Sequence, residues 1–145
     1  MRTLLVIAVV LALTHGRSSF AGAADVSFLL GFLAGDYRVV GQQPNSGAAY
    51  SGRLSFRERA GKFDVTRTIA GVSTQGVAVI ETAGEGTAVL RSRFSVEGVD
   101  YEATYLWRSD LDNYPRLTAY IYRAQGRTES PGLEALFHIP PTPTK

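Results

Sequence analysis

The 145-residue sequence contains no cysteine. The chain can therefore form no disulfide, and it offers neither a thiolate nucleophile nor a cysteine for lipid attachment. Histidine is almost as scarce, because His15 and His138 are the only two. The sequence also lacks a Gly-x-Ser-x-Gly turn, so it gives no support for a hydrolytic triad. A fold made from this chain must be stabilised by packing and hydrogen bonding.

Basic clusters, phosphate loops and metal-binding spacings are also missing. The chain has 15 basic and 13 acidic residues, and Arg2 and Arg17 account for the difference. Nucleic acid is therefore not an expected partner. The run Asp110-Leu111-Asp112-Asn113 offers oxygen ligands, but it lacks the glycine and the distal glutamate of a calcium loop. It predicts an Asx-stabilised turn in the polar stretch 109–115 rather than a metal site.

The N-terminus has the three parts of a secretory signal peptide. Arg2 supplies the positive start, Leu4 to Leu13 is an apolar run, and small residues fill positions 21–24. A membrane-spanning helix needs roughly 20 apolar residues, so this run is too short to be one. We predict cleavage after Ala23 and a periplasmic or secreted product.

The domain boundaries follow from this cleavage. Residues 1–23 are the predicted signal peptide, and residues 24–139 form one domain with a sizeable core. Residues 140–145 include three prolines and are predicted to be a disordered tail.

Alternating apolar and polar residues fill most of this domain. From Ala49 to Glu58, one face carries Tyr50 and Phe56, whereas the other carries Arg53 and Arg57. Such period-2 runs between glycine-bearing turns predict strands joined as hairpins. The predicted strands are Asp36–Gln43, Ala49–Glu58, Lys62–Ala70, Ser73–Thr82, Gly86–Val96, Val99–Ser109 and Arg116–Ala124.

Seven or eight consecutive strands with short turns predict an all-β antiparallel meander. A barrel is favoured over a sandwich because closure removes the unpaired edges. Short helical segments are predicted at both ends of the domain. Val26 to Leu33 would close one end of the barrel, and Ser130-Pro131 would begin a short helix through Leu136 and Phe137.

The segment from Phe28 to Val39 resembles the start of calycin barrels, the group of lipocalins, fatty-acid-binding proteins and nitrobindin-like proteins. Those chains open with an apolar turn and Gly-x-Trp; here Gly35-Asp36-Tyr37 has tyrosine in place of the tryptophan. The resemblance implies a barrel whose interior or mouth binds a small apolar molecule.

Arg67 is the strongest single candidate for a binding residue. It alternates in phase with Phe63, Val65 and Ile69, so its guanidinium is predicted to point inward. A buried arginine needs a partner, and this could be a ligand carboxylate, Glu58 or Glu81. A structural ion pair, or an arginine that extends to the barrel rim, is the plainer interpretation.

Aromatic residues cluster on the last two predicted strands. Tyr101, Tyr105 and Trp107 share one face and are candidates to line a ligand pocket. Tyr120 and Tyr122 share a face of the next strand and are candidates for a partner surface. Core packing and cross-strand pairing would explain the same residues.

A cofactor is not predicted, although the calycin resemblance raises haem. Nitrobindin-like barrels bind haem through a histidine near the C-terminus, where this chain has His138. Its position beside Ile139-Pro140-Pro141, after the predicted helix, favours an exposed or capping histidine instead.

Three functions remain open from the sequence. The leading one is an exported, non-catalytic barrel that binds a small apolar or amphipathic molecule. The second is a secreted inhibitor or immunity-type scaffold that contacts a protein partner through Tyr120, Tyr122 or the 109–115 loop. The third is a cofactor-free isomerase or cyclase, for which fold alone is weak support.

Overall fold

We analysed the protein in a computed structural model, which describes residues 23–108 and 116–141. Residues 1–22 of the predicted signal peptide, the 109–115 loop and the last four residues of the predicted tail lie outside these ranges. The predictions for those segments therefore stay predictions.

The described residues form an α-helix, a short 3-10 turn (Gly84–Gly86) and a closed antiparallel barrel of eight strands in sequential order. Each strand pairs with its neighbours in sequence, and β1 pairs with β8 to complete the closure. The predicted all-β meander barrel is confirmed. The elements are α1 (Ala23–Leu33), β1 (Gly35–Gln42), β2 (Ala49–Arg59), β3 (Lys62–Ile69), β4 (Val72–Thr82), β5 (Ala88–Val96), β6 (Val99–Arg108), β7 (Arg116–Arg123) and β8 (Gly132–Ile139).

Three of the hairpins have two-residue turns at positions that the sequence predicts. These turns are Ala60-Gly61, Ala70-Gly71 and Glu97-Gly98, and both residues of each have positive φ. Two consecutive left-handed residues match the twist of the flanking strands, which favours glycine at the second position. The turns fix the pairing register, and therefore which side chains face the interior.

The predicted C-terminal helix is wrong, because this segment is strand β8. The spacing of Leu133, Leu136 and Phe137 imitates a helical face, but Leu133 and Phe137 point outward and are 43% and 40% exposed. Glu134 and Leu136 point inward instead. In this segment the outward residues are apolar and one inward residue is a carboxylate. The usual strand pattern of apolar residues inside and polar residues outside is therefore not visible in the sequence. Backbone pairing with both β7 and β1 makes the segment a strand.

The half of the barrel next to α1 is filled by side chains. Leu30 and Leu33 of the helix are buried in the main core cluster, and the Tyr37 hydroxyl donates a 2.9 Å hydrogen bond to the Leu33 carbonyl. Phe56 packs between Tyr37 and Phe63 with ring centroids 5.6 and 5.5 Å apart. The helix thus covers this end of the barrel, as the sequence predicts for Val26 to Leu33.

The outer surface differs between two sides of the barrel. On β4, β5 and β6, Arg91 and Arg93 each bridge both Glu81 and Glu102 at 2.5–3.0 Å. On β6, β7, β8 and β1 several large apolar side chains are at least 40% exposed, beside the exposed charged residues Asp36, Arg38, Asp100 and Arg123. Within the described ranges, no helix is long and apolar enough to span a membrane.

Candidate functional site: a polar layer beneath the barrel mouth

Five residues, one on each of five neighbouring strands, pair directly with one another and form a row around the barrel. Large and small residues alternate along this row. Tyr105 on β6 pairs with Ala119 on β7, which pairs with Glu134 on β8. Glu134 pairs with Gly41 on β1, which pairs with Tyr50 on β2. Directly paired residues point to the same side of a sheet. The small residues Ala119 and Gly41 therefore leave room for both tyrosines to lean toward Glu134.

The Glu134 carboxylate accepts four hydrogen bonds. Its Oε1 accepts from the Tyr50 hydroxyl at 2.6 Å and from Arg67 Nη2. Its Oε2 accepts from the Tyr105 hydroxyl and from Arg67 Nη1 at 3.1 Å. Each carboxylate oxygen thus receives one tyrosine and one guanidinium donor, which uses both oxygens fully. We call these four residues the polar layer.

Arg67 reaches Glu134 from the opposite wall of the barrel. It stands on β3, where its direct partners are Leu54 and Thr74. The central carbon of its guanidinium lies 4.2 Å from the centroid of the Phe94 ring, a cation–π distance. The pair with Glu134 is bidentate, which holds the guanidinium in one orientation.

Burial controls the electrostatics of this layer. The Arg67 side chain is 4% exposed and the Glu134 side chain is not exposed at all. Burial, together with the charge of Glu134, raises the pKa of both Tyr105 and Tyr50. Burial alone would lower the pKa of Arg67, but its neighbours Tyr105 and Glu134 raise it. Both tyrosines are therefore neutral donors at pH 7, and the layer carries one positive and one negative charge.

A pocket of ≈ 310 Å³ opens above the polar layer, at the end of the barrel opposite α1. We call it the mouth pocket. Arg67 and Tyr50 line both the pocket and the polar layer, and the stacked rings of Phe94 and Tyr101, 5.7 Å apart, form part of the pocket wall. The other lining residues are Gln43, Pro44, Ile69, Ala70, Val72, Thr74, Val96, Glu97 and Ile121.

The arrangement is suited to holding a molecule rather than to transferring its protons. At least one of the four donors on Glu134 would have to shift before its carboxylate could take a proton from a substrate. Residues 23–108 and 116–141 contain no cluster of three or more histidine, aspartate or glutamate side chains that could hold a metal ion. What the pocket offers is an apolar wall and a hydrogen-bonding base.

The predicted binding residues divide between the two ends of the barrel. Arg67 and Tyr101 line the mouth pocket. Tyr105 lies beneath it in the polar layer and is fully buried. Trp107 packs against the core from the strand end where β6 pairs with Leu117, away from the pocket. Their binding roles stay predictions.

The partner of Arg67 is the residue that sequence reasoning missed. Glu58 accepts a hydrogen bond from the Gly61 backbone in the β2–β3 turn, and Glu81 bonds to Arg91 and Arg93 on the outer face. Neither contacts Arg67, whose partner is Glu134, 67 positions away. The helical spacing of the C-terminal segment conceals the inward direction of Glu134. The alternation in the second strand puts Tyr50 on the same face as Phe56, but it does not indicate a link to Arg67.

His138 lies on the inner face of β8, at the α1 end of the barrel. It is not the isolated surface residue that a preceding helix would have produced. Its ring meets the Tyr37 ring edge-on at 5.3 Å. Its Nε2 lies so close to Gly35 that a Cβ added there would be only 2.7 Å away. A nitrogen packed against the backbone in this way is poorly placed to ligate a haem iron, so these residues do not fit the haem hypothesis.

Tyr120 and Tyr122 point outward, with 54% and 44% of each residue exposed. Leu106, Leu133 and Val40 on neighbouring strands are also more than 40% exposed. Together they make an apolar outer face across β6, β7, β8 and β1. The 109–115 loop, the other part of the predicted partner surface, lies outside the described residues.

No protein-family model matches the sequence, and neither does any curated protein. The closed eight-stranded antiparallel barrel is compatible with the calycin resemblance. Function must therefore be argued from the mouth pocket and the surfaces of the barrel.

Proposed function

We propose that this protein is an exported, calycin-like barrel that binds a small amphipathic molecule in its mouth pocket. The observation that carries the proposal is a pocket of ≈ 310 Å³ with apolar walls and a charged, hydrogen-bonded base. This volume lies at the lower end of the range for small-molecule sites, roughly 300–1,000 Å³. The apolar part of the ligand would contact Phe94, Tyr101 and Ile121, and its polar group would meet Arg67 and Tyr50.

A structural ion pair at Arg67 was the plainer interpretation of the sequence, and the pair with Glu134 does not exclude a function in ligand binding. A buried arginine and glutamate desolvate at a cost of several kcal/mol each, and an apolar pair is often as stable. Most of the core fills the α1 end, where a polar layer is absent among the described residues. Among the described residues, the polar layer lies only beneath the mouth pocket. This location favours a role in binding a ligand.

The first test is native mass spectrometry of the exported protein, with an absorption spectrum of the same sample. A co-purifying small molecule would support the proposal. Binding is then measured by fluorescence titration with the neutral probe N-phenyl-1-naphthylamine. We expect saturable binding to the wild type that Thr74→Trp reduces at least tenfold, because Thr74 lines the pocket. Gln75→Trp places the same ring on the outer face of β4 and should leave binding unchanged.

Absence of both a co-purifying mass and saturable probe binding would overturn the proposed function. Equal binding by the two tryptophan variants would show that the probe binds elsewhere, which would remove the mouth pocket from the proposal.

Export carries its own test. If residues 1–23 are a signal peptide, the protein recovered outside the cytoplasm begins at Ala24. N-terminal sequencing reads this directly. Recovery of the full chain from the cytoplasm alone would contradict export.

Protein binding through the outer face is the second candidate function, favoured by the exposed Tyr120, Tyr122 and Leu106. Contiguous exposed apolar residues are a common mark of contact surfaces. We expect Tyr120→Ser with Leu106→Ser to weaken any complex captured on the immobilised domain. Thr66→Ser changes an outward side chain on β3, away from this apolar face. It is the matched control and should leave the complex unchanged. Sedimentation of the isolated protein separates a foreign partner from a second copy of this chain.

A further inference from the structure

The polar layer has no net charge to offer a ligand. Arg67 already binds both oxygens of Glu134, and the two tyrosines donate to the same carboxylate. The positive charge of Arg67 is therefore already balanced by Glu134 and is not free to pair with a ligand carboxylate at the base of the mouth pocket. It would also approach a second buried carboxylate of the same sign, which opposes ionisation of both groups.

The remaining hydrogen-bonding capacity suits a neutral oxygen. The contacts of Arg67 to the described residues use Nη1 and Nη2, and its Nε–H has no acceptor among them. Tyr50 donates its proton to Glu134, which leaves its oxygen able to accept. A hydroxyl or carbonyl oxygen can accept from Arg67, and a hydroxyl can also donate to Tyr50. Neither interaction requires a charge to be desolvated.

The wall of the pocket favours a flat ring. The Phe94 and Tyr101 rings lie nearly parallel, with 21° between their planes, and Phe94 also covers the guanidinium. Branched apolar side chains line most of the rest of the opening, and Gln43, Thr74 and Glu97 line it as well. A planar, uncharged body can stack on such a wall with little loss of its own conformational freedom.

We infer that the mouth pocket selects an uncharged planar molecule bearing a hydroxyl or carbonyl oxygen, and that it discriminates against carboxylates. This inference rests on the proposed function and narrows its ligand class. It differs from the simplest expectation for an inward arginine in a barrel, which is a salt bridge to a ligand carboxylate. The difference comes from Glu134, which occupies the position that the ligand anion would take.

Two probes of almost identical shape test the inference. The first, 2-naphthamide, is neutral, whereas 2-naphthoate is ionised at pH 7 because a carboxyl titrates near pH 4. Isothermal titration of wild-type protein should give at least tenfold tighter binding for the amide. Equal or tighter binding of the carboxylate would overturn the inference but leave the proposed function standing. No saturable binding of either probe would overturn the inference, and the proposed function falls with it only if N-phenyl-1-naphthylamine also fails to bind and no small molecule co-purifies.

Two variants test whether the charge balance at the base of the pocket sets this preference. Glu134→Gln keeps the shape of the side chain but leaves Arg67 unmatched, and we expect the preference to move at least tenfold toward the carboxylate. Because this variant leaves a buried charge and can fail to fold, Thr74→Lys is the second. It adds a positive charge at the partly exposed pocket wall, on the strand beside Arg67, and leaves Arg67 and Glu134 themselves unsubstituted. It should move the ratio in the same direction. An unchanged ratio in the folded variants would overturn the inference.

Discussion

Tyr50 and Glu134 stand two strands apart in the barrel wall, yet the tyrosine hydroxyl donates a 2.6 Å hydrogen bond to the carboxylate. The strand between them carries Gly41 at the shared level. A Cβ at this position would lie 2.7 Å from Cζ of Tyr50 and 2.6 Å from the Leu133 carbonyl oxygen. The glycine therefore makes the contact possible.

The first prediction follows from this contact. Gly41→Ala should displace the Tyr50 ring and reduce the free energy of unfolding by about 1–3 kcal/mol, the usual range for overpacking. Urea denaturation measures the change. Gly31→Ala is the control, because nothing lies within 4 Å of the added methyl and the helix gains a better helix former. If Gly41→Ala is as stable as Gly31→Ala, the added methyl group does not displace the Tyr50 ring and the prediction is wrong.

The second prediction concerns the buried pair. Glu134→Gln leaves Arg67 as an unmatched buried charge, so we expect a loss of about 3–5 kcal/mol in unfolding free energy. Replacing both residues, as in Arg67→Met with Glu134→Leu, removes the unmatched charge and should restore part of it, although the Tyr50 and Tyr105 hydroxyls then lose their acceptor. Denaturant unfolding of the three proteins tests this. Glu102→Gln, which breaks the surface ion pairs with Arg91 and Arg93, should cost at most about 1 kcal/mol. A double variant as unstable as Glu134→Gln would contradict the argument.

The third prediction concerns Ser92, whose buried hydroxyl has no hydrogen-bond partner among the described residues. Its direct neighbours across the strands are Ala78 and Ala103. Removing an unsatisfied hydroxyl recovers its desolvation penalty, so Ser92→Ala should raise the unfolding free energy by about 1 kcal/mol. Ser95→Ala, on the exposed side of β5, provides the comparison. A clear loss of stability in Ser92→Ala would mean that the hydroxyl is satisfied by a group outside this set.

The fourth prediction is a loss of stability at alkaline pH. Burial raises the pKa of Tyr37 to about 12, against about 10 in an unfolded chain. Because the unfolded state releases this proton first, the stabilising contribution is complete below about pH 10 and disappears as pH rises toward 12. Two pKa units correspond to roughly 2–3 kcal/mol.

Tyr50 and Tyr105 have pKa values raised in the same direction and add to the decline. Urea unfolding between pH 9 and 12 should therefore show a shallower fall for Tyr37→Phe than for the wild type. Parallel curves would mean that Tyr37 does not contribute to the alkaline transition.

Local pattern is enough to predict the barrel but not all of its strands. Glycine-bearing turns and period-2 runs mark β1 to β7 within a few residues at each end. They fail at β8, because its apolar Leu133 and Phe137 face outward while Glu134 faces inward. The inward direction of Arg67 could be predicted from its phase with Val65. Its partner could not, because 67 residues separate the two groups and only barrel closure brings them together.

The sequence by itself determined the compartment prediction, the reliance on packing without disulfides, and the hairpins, because each depends on nearby residues or composition. Tertiary structure decided the site. Pairing of β8 with β1 and β7 places Glu134 between Gly41 and Ala119, and barrel closure brings Arg67 across to it. Whether an inward arginine offers its charge to a ligand depends on what faces it across the barrel, and that is a property of long-range pairing alone.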